Sequence, residues 1–122
     1  MLKPTPAELE ILQVLWTRGP STVREVAEEL GRVSAYTTIL KLMQIMAEKK
    51  LVRREKSRRA HVYRAVLPKQ QMQQRLVRDL AERAFGGSIL TLLQQALSGA
   101  LTSREELSSL RQLIDEEERK RS

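Results

Sequence analysis

Apolar residues recur every three or four positions in three stretches of the first fifty residues. This spacing is typical of amphipathic α-helices that bury one face. It predicts helices at about residues 6–17, 23–30 and 35–49. Only about four residues join the second helix to the third, and two short helices with so tight a connection indicate a helix-turn-helix.

The ends of the predicted helices carry start and stop signals. Three positions combine a hydroxyl residue with a glutamate three residues later, which is the spacing of a capping box. These pairs are Thr5 with Glu8, Thr22 with Glu25, and Ser103 with Glu106. Gly31 is placed to end the second helix in the left-handed conformation, and Ser34 is the expected N-cap of the third helix.

Two short runs with strand character follow the third helix, at residues 51–55 and 60–66. A polar connection at residues 56–59 joins them, so we interpret the segment as a β-hairpin. The second run alternates with a period of two, which places Val62, Arg64 and Val66 on one face and His61, Tyr63 and Ala65 on the other. Three helices followed by a hairpin form a winged helix.

Leucine-rich helical patterns return after Pro68. They predict three further helices, at about residues 69–85, 88–97 and 104–119. These helices hold more apolar surface than three of this length can bury alone, so we expect the last two to pair with a second copy of the chain. The alternative is that they fold back onto the winged helix. The predicted dimerisation residues are Ile89, Leu90, Leu93, Leu97, Leu107, Leu110 and Ile114.

The predicted fold class is therefore mainly α with a small β-hairpin. A winged helix-turn-helix domain covers residues 1–67, and a helical dimerisation domain covers residues 68–122. Aromatic residues make up only 3% of the chain, so aliphatic side chains and methionine must supply most of the core. Trp16, Met43 and Met46 are expected to be core residues.

The formal net charge of +7 is concentrated in one short segment. Residues 1–67 carry a net charge of +6 and residues 68–122 carry +1, while residues 49–64 alone carry +7. A concentrated basic patch on an otherwise balanced protein suits a polyanionic partner such as a nucleic acid. The alternative is a solvated basic face that only aids solubility.

The composition argues against several other classes of protein. The chain has no cysteine, which excludes disulfides, thiolate metal sites and thiol nucleophiles. No apolar run reaches the 18 residues or so of a membrane span, and the N-terminus lacks the apolar stretch of a secretory signal. We therefore expect a cytoplasmic protein.

Catalysis is not expected either. His61 is the single histidine, so a catalytic set built on several histidines cannot be assembled. No glycine-rich phosphate loop is present, and we interpret the acidic run at residues 115–118 as a solvated helix end. We expect no enzyme activity, no cofactor and no metal site.

Nucleic-acid binding has positive support. A recognition helix places its N-terminal half in the major groove, where its side chains reach base edges, and a basic hairpin suits phosphate contact or minor-groove insertion. The predicted DNA contacts are Ala35, Tyr36, Thr37, Thr38, Lys41 and Gln44 on the third helix, and Lys56, Arg58, Arg59 and His61 on the hairpin. Tyr36 could instead pack its ring at the domain surface, and Thr38 could serve as a local cap.

Seven segments keep an order and a spacing that together point to one family. They are residues 6–10 (PAELE), 15–16 (LW), 35–39 (AYTTI), 48–52 (EKKLV), 59–63 (RAHVY), 86–87 (GG) and 105–107 (EEL). With these segments the chain resembles the penicillinase repressor (BlaI/MecI) family of winged-helix regulators. The resemblance covers nearly the whole chain, to about residue 115.

The resemblance implies a bacterial transcriptional repressor. Its winged helix would bind a dyad operator with TACA/TGTA-like half-sites in double-stranded DNA, and its C-terminal helices would form a homodimer. Members of the family are often paired with a membrane-embedded sensor metalloprotease, whose cut in the dimerisation region releases the operator.

Two departures from the family bear on regulation. Antibiotic-responsive members are cut at an Asn–Phe bond in the helix after the double glycine, and this chain has Gln95 and Ala96 at the matching position. These two residues mark the possible cleavage region. Because they differ from the Asn–Phe pair, the resemblance does not imply induction by β-lactams. The copper-responsive branch uses a cysteine-rich metal site, which a chain without cysteine cannot form.

Two other functions fit the same fold. One is an activator or architectural DNA-binding protein, since a fold alone does not decide between these roles. The other is a protein-interaction module, in which the basic hairpin would face an acidic partner instead of DNA.

Overall fold

The computed structural model describes residues 3–57, 60–99 and 103–122. The described elements are α1 (Pro6–Arg18), α2 (Val23–Glu29), α3 (Tyr36–Glu48), β1 (Val52–Ser57), β2 (Ala60–Ala65), α4 (Lys69–Ala84), α5 (Ile89–Gly99) and α6 (Arg104–Lys120). The two strands pair antiparallel, with Val52 opposite Ala65 at one end and Ser57 opposite Ala60 at the other. The predicted fold class, mainly helical with one small hairpin, is confirmed.

The three predicted capping boxes are present. In the box that starts α1, the Thr5 hydroxyl accepts from the Glu8 N–H at 3.2 Å, and Glu8 Oε1 accepts from the Thr5 N–H at 2.9 Å. The same reciprocal pairs begin α2 and α6. Gly31 follows α2 with φ +67°, the left-handed conformation that glycine adopts without steric cost.

The start of α3 differs from its prediction. A single turn of 3₁₀ helix, Val33–Ala35, precedes α3 and contains Ser34. Ala35 is therefore the N-cap, and no side chain caps the first turn of α3. The prediction of Ser34 as the cap was wrong because the short connection closes a backbone turn first, in which the Ala35 N–H donates to the Arg32 carbonyl at 2.9 Å.

The core of the first part of the chain lies between α1, α2, α3 and the hairpin. Ile11 and Leu12 of α1 are buried against Val26 of α2 and the two methionines of α3, Met43 and Met46. The predicted core positions of both methionines are confirmed. Trp16 is only partly buried, but it packs on this core and its indole N–H donates to the Leu67 carbonyl at 3.0 Å.

The loop between α1 and α2 ties the hairpin to the helices. The Ser21 N–H donates to the Tyr63 carbonyl at 3.0 Å, and the Tyr63 N–H donates to the Ser21 carbonyl at 2.8 Å. The Ser21 bridge therefore acts as a one-residue third strand beside β2. With Tyr63 buried at 1% exposure, the base of the hairpin is fixed against the helices.

A partly buried ion pair joins the start of α1 to the end of α3. The Lys49 ammonium donates to Glu8 Oε1 at 2.9 Å and to Oε2 at 3.0 Å. Burial by itself raises the pKa of the Glu8 carboxyl, but the Thr5 N–H and the Lys49 ammonium favour the charged form more strongly and hold the pKa below its ordinary value. The pair thus holds both helix ends in a fixed position.

The chain divides into two compact units, the first ending at Val77 and the second beginning at Arg78. The division falls inside α4, because Met72 in the first half of this helix belongs to the core of the first unit. The domain boundary after Leu67 stays a prediction. In the second unit, α5 and α6 have no buried residue within the described part of the chain.

No helix in the ranges described is long and apolar enough to cross a membrane.

Candidate nucleic-acid interface

Helix α3 presents one polar face to solvent. Its apolar residues Ile39, Met43 and Met46 are buried in the core. The helical period of 3.6 residues then turns the intervening positions outward. Four of the residues predicted to contact DNA are exposed there: Thr37, Thr38, Lys41 and Gln44. Two hydroxyls, one ammonium and one amide therefore lie on the outer side of α3.

The other two predicted residues of this region lie at the start of α3. Ala35 is half-buried and packs against the core, so it offers less surface to a partner than its neighbours do. Tyr36 is the first residue of α3 and is 39% exposed. Its ring lines a cleft between α3 and the hairpin.

The register of the hairpin decides which of its cations share a face. Side chains directly opposite each other in an antiparallel pair lie on the same face. Lys56 is opposite His61, and Arg54 is opposite the buried Tyr63. Since alternate residues share a face, Arg54, Lys56 and His61 lie on the face that carries Tyr63. We call this the inner face of the hairpin.

The outer face of the hairpin carries Arg53, Glu55 and Arg64. Arg64 Nε lies 3.3 Å from Glu55 Oε1, so one of the two outer arginines is paired. Among the described residues, Arg54 and Lys56 of the inner face make no ion pair. The positive charge of the inner face is therefore less compensated than that of the outer face.

The first strand of the hairpin ends two residues later than predicted, whereas the second ends one residue earlier. Because β1 extends to Ser57, Lys56 is a strand residue and not part of the connecting tip, which corrects the prediction. The pairing of Lys56 with His61 continues the antiparallel ladder past residue 55, where the first strand was predicted to end. The predicted contacts Arg58 and Arg59 lie outside the described residues.

An open cleft of about 390 Å³ lies between α2, α3 and β2. Arg24 of α2, Tyr36 of α3 and His61 of β2 line it, above the apolar side chains of Val23 and Leu40. The structure thus brings together two predicted residues, Tyr36 and His61, that lie 25 positions apart in the chain. It adds an arginine that was not predicted.

Arg24 and Arg54 were not among the residues predicted to contact DNA. A signal for Arg54 was present, because a strand with a period of two places it on the face of Lys56 two residues later. No sequence signal identifies Arg24, since its position beside the cleft depends on how the hairpin packs against α2.

The sequence matches one known protein family over most of its length. The family described as "Penicillinase repressor" matches residues 4–116 of the chain. The chain belongs to the penicillinase repressor family. The matched range covers parts of both units and confirms the resemblance seen in the sequence. The chain is therefore a transcriptional repressor.

Two relatives give the range of similarity within the family. The penicillinase repressor of Bacillus licheniformis is 24% identical over 112 residues, covering 90% of this chain and 88% of the relative. The transcriptional regulator BlaI of Mycobacterium tuberculosis is 38% identical over 85 residues, covering 66% of this chain and 62% of the relative. The chain therefore aligns with less than two thirds of the length of the mycobacterial regulator.

In this family member, most of the large apolar side chains of α5 and α6 are exposed. Six of the seven predicted dimerisation residues are exposed, and Leu110 is half-buried. The exposed ones are Ile89, Leu90, Leu93, Leu97, Leu107 and Ile114. Leu113, which was not among the predicted residues, is also exposed, at 57%. A groove of about 490 Å³ between α5 and α6 is lined by Leu93, Leu97 and Leu113, among others.

The possible cleavage residues, Gln95 and Ala96, are exposed in the middle of α5. Ala96 also lines the groove between α5 and α6. A protease needs an extended backbone, so a cut at this position requires local unfolding of α5. The assignment of these residues to cleavage, like that of the dimerisation residues, stays a prediction.

Proposed function

We propose that this chain is a cytoplasmic repressor that binds a palindromic operator as a homodimer and blocks a promoter. The observation that carries the proposal is the surface of the first unit. The polar outer face of α3, with Thr37, Thr38 and Lys41, is exposed on the same unit as the inner hairpin face, whose cations form no ion pair with any described residue. This combination supports base contacts from the helix and phosphate contacts from the hairpin.

The second unit supports the dimeric part of the proposal. Leu90 is 67% exposed and Leu113 is 57% exposed. Covering apolar surface contributes about 25 cal/mol per Å², and exposed apolar faces of this extent mark interfaces. A second copy of the chain carries the same α5–α6 surface. In a two-fold symmetric dimer the two identical surfaces would cover each other.

The mechanism follows from linking two recognition helices. In such a dimer, two copies of α3 enter successive major grooves about 34 Å apart on one side of the duplex. One helix alone binds weakly, and the linkage makes binding of the second half-site intramolecular, which raises affinity by a factor of roughly 10² to 10⁴. The bound dimer then excludes the transcription machinery sterically.

Relief by proteolysis is part of the proposal. A cut near Gln95 would separate α6 from the rest of the chain and remove half of the α5–α6 surface. The dimer would weaken and the operator would be released. The partner required is a protease that recognises α5, and a membrane sensor metalloprotease is the candidate that the family resemblance supplies.

Fluorescence anisotropy with labelled DNA tests the proposed function. One duplex carries palindromic TACA/TGTA half-sites and the other has the same bases scrambled. We expect the operator duplex to bind roughly a thousandfold more tightly, with an affinity that falls steeply between two salt concentrations. Equal, weak binding to both duplexes would contradict operator recognition. Binding to neither at low salt would favour a protein-interaction module.

A further inference from the structure

The cleft between α2, α3 and β2 has the features of an anion site. It is open to solvent and is lined by Arg24, Tyr36 and His61, one from each of three elements. Thr22 and the apolar side chains of Val23 and Leu40 complete much of its wall, and none of its lining residues is acidic. A guanidinium, a phenol and an imidazole all can donate hydrogen bonds, so the cleft suits a negatively charged group.

Arg24 differs from the other arginines of the helix-turn-helix because its side chain has no hydrogen-bond or ion-pair partner in the part of the chain that the structure describes. Arg18 pairs with Glu25 at 2.9 Å and with Glu29 at 3.3 Å, and Arg32 pairs with Glu10 at 3.0 Å. Among the described residues, Arg24 makes neither an ion pair nor a side-chain hydrogen bond. Its exposed side chain therefore stabilises the fold through no ion pair or hydrogen bond to a described residue.

We propose that this cleft binds one phosphate of the DNA backbone beside the half-site, with Arg24 as its main cationic contact. The proposal rests on the DNA binding proposed above and adds a contact from α2 to those from α3 and the hairpin. A guanidinium binds phosphate oxygens through two parallel hydrogen bonds, which fixes orientation as well as affinity. The contact therefore sets how deeply α3 enters the groove.

The number of phosphates bound can be read from the salt dependence of affinity. The logarithm of the binding constant falls with the logarithm of salt concentration, with a slope of about −0.9 for each phosphate contacted. A homodimer would use the cleft twice. We expect Arg24→Ala to reduce the magnitude of this slope by about 2, and to weaken binding by the same factor on operator and scrambled duplexes.

Arg53→Ala is the matched control. It removes the same charge from an exposed arginine of the same unit, but Arg53 lies on the outer face of the hairpin and does not line the cleft. We expect its slope to stay close to that of the wild type. Thermal unfolding of both variants should match the wild type, because neither side chain makes an ion pair among the described residues.

A second measurement locates the phosphate. A single neutral methylphosphonate is placed at successive positions along the backbone of the operator duplex. At one position per half-site, this change should weaken binding of the wild type but should not weaken the binding of Arg24→Ala any further. Such non-additivity identifies two groups in direct contact.

The outcomes separate the two proposals. An unchanged slope for Arg24→Ala, or equal falls for Arg24→Ala and Arg53→Ala, would overturn the phosphate site while leaving operator binding intact. A lowered slope on both duplexes without operator preference would support the phosphate site and overturn the specific repressor. If the wild type bound no duplex at low salt, both proposals would fail.

Discussion

The two units of the chain both contain amphipathic helices, but they differ in how far the apolar faces of these helices are buried. In the first unit, α1, α2 and α3 bury their apolar faces against one another and against the hairpin. In the second, α5 and α6 have comparable apolar faces but bury none of their described residues. Apolar residues at helical spacing therefore form a core in the first unit and an exposed surface on α5 and α6 in the second. The first unit buries its core within one chain, and the exposed α5–α6 surface of the second is the surface that we propose pairs with a second copy.

The largest expected effect comes from a charge placed on the surface of the second unit. Leu93→Glu puts a carboxylate into the α5–α6 groove, where a second copy would have to bury it without a partner. We expect dimers to dissociate in sedimentation velocity runs and operator affinity to fall by a factor of roughly 10² or more. Gln94→Glu adds the same charge to the adjacent exposed position and serves as the control. A Leu93→Glu protein that remained dimeric would contradict this assignment of the interface.

The next effect separates stability within one chain from stability that depends on a partner. Met46→Ala opens a cavity in the core of the first unit, where Met46 is fully buried, and should lower the free energy of unfolding by about 2–5 kcal/mol. Urea denaturation should give the same loss at any protein concentration. Leu113→Ala should cost less, and its cost should shrink as dilution dissociates the wild type. Identical concentration dependence in the two variants would argue against the division between the units.

A smaller effect involves the ion pair between Glu8 and Lys49. Removing its cation with Lys49→Ala leaves a buried carboxylate without its partner and should cost about 1–3 kcal/mol at neutral pH. The pKa of Glu8 is lowered on folding, so the charged carboxylate stabilises the fold above its ordinary pKa of 4.5. That contribution is lost as the pH falls through the lowered pKa.

Urea denaturation from pH 7 to pH 3 checks this sign. The difference in unfolding free energy between the wild type and Glu8→Gln should be largest at neutral pH and should decrease in acid, because the Glu8 carboxyl loses its charge as the pH falls through its lowered pKa. Glu10→Gln is the control, since Glu10 forms only an exposed pair with Arg32. A gap that widened in acid would show that the pair does not act through the charge of Glu8.

The smallest effect uses the same cap in the two units. Thr22→Ala and Ser103→Ala each remove the hydroxyl of a capping box, which typically costs about 1 kcal/mol. The loss at Thr22 should appear as lower stability of the first unit at every concentration. The loss at Ser103 should appear mainly as a weaker dimer, measured by the concentration dependence of sedimentation. If both variants lost stability with the same dependence on protein concentration, the proposed difference between the two units would be contradicted.

The elements were predictable where local chemistry determines them. The capping boxes at Thr5, Thr22 and Ser103, the left-handed Gly31 and the buried methionines of α3 all follow from spacing within a few residues. Ser34 was predicted wrongly because it lies inside a 3₁₀ turn, in which the Ala35 N–H donates to the Arg32 carbonyl and the Tyr36 N–H donates to the Val33 carbonyl, and this leaves Ala35 as the N-cap. Local signals compete there, and the sequence does not show which one prevails.

Features that depend on packing between distant segments were not predictable. The bridge from Ser21 to Tyr63 and the pair of Glu8 with Lys49 join positions about 40 residues apart. Arg24 reaches the cleft only because the hairpin returns beside α2. The candidate interface was therefore predicted as two segments, α3 and the hairpin, while the third contributor and the inner face of the hairpin came from the structure.

The most direct test of the account compares two duplexes for the wild-type chain. One carries the complete palindrome and the other carries a single half-site of the same length, and anisotropy gives the affinity for each. If the second unit joins two copies of the first, the palindrome should bind roughly 10² to 10⁴ times more tightly. Equal affinities for the two duplexes would contradict the claim that the exposed surface of α5 and α6 exists to pair two DNA-binding units.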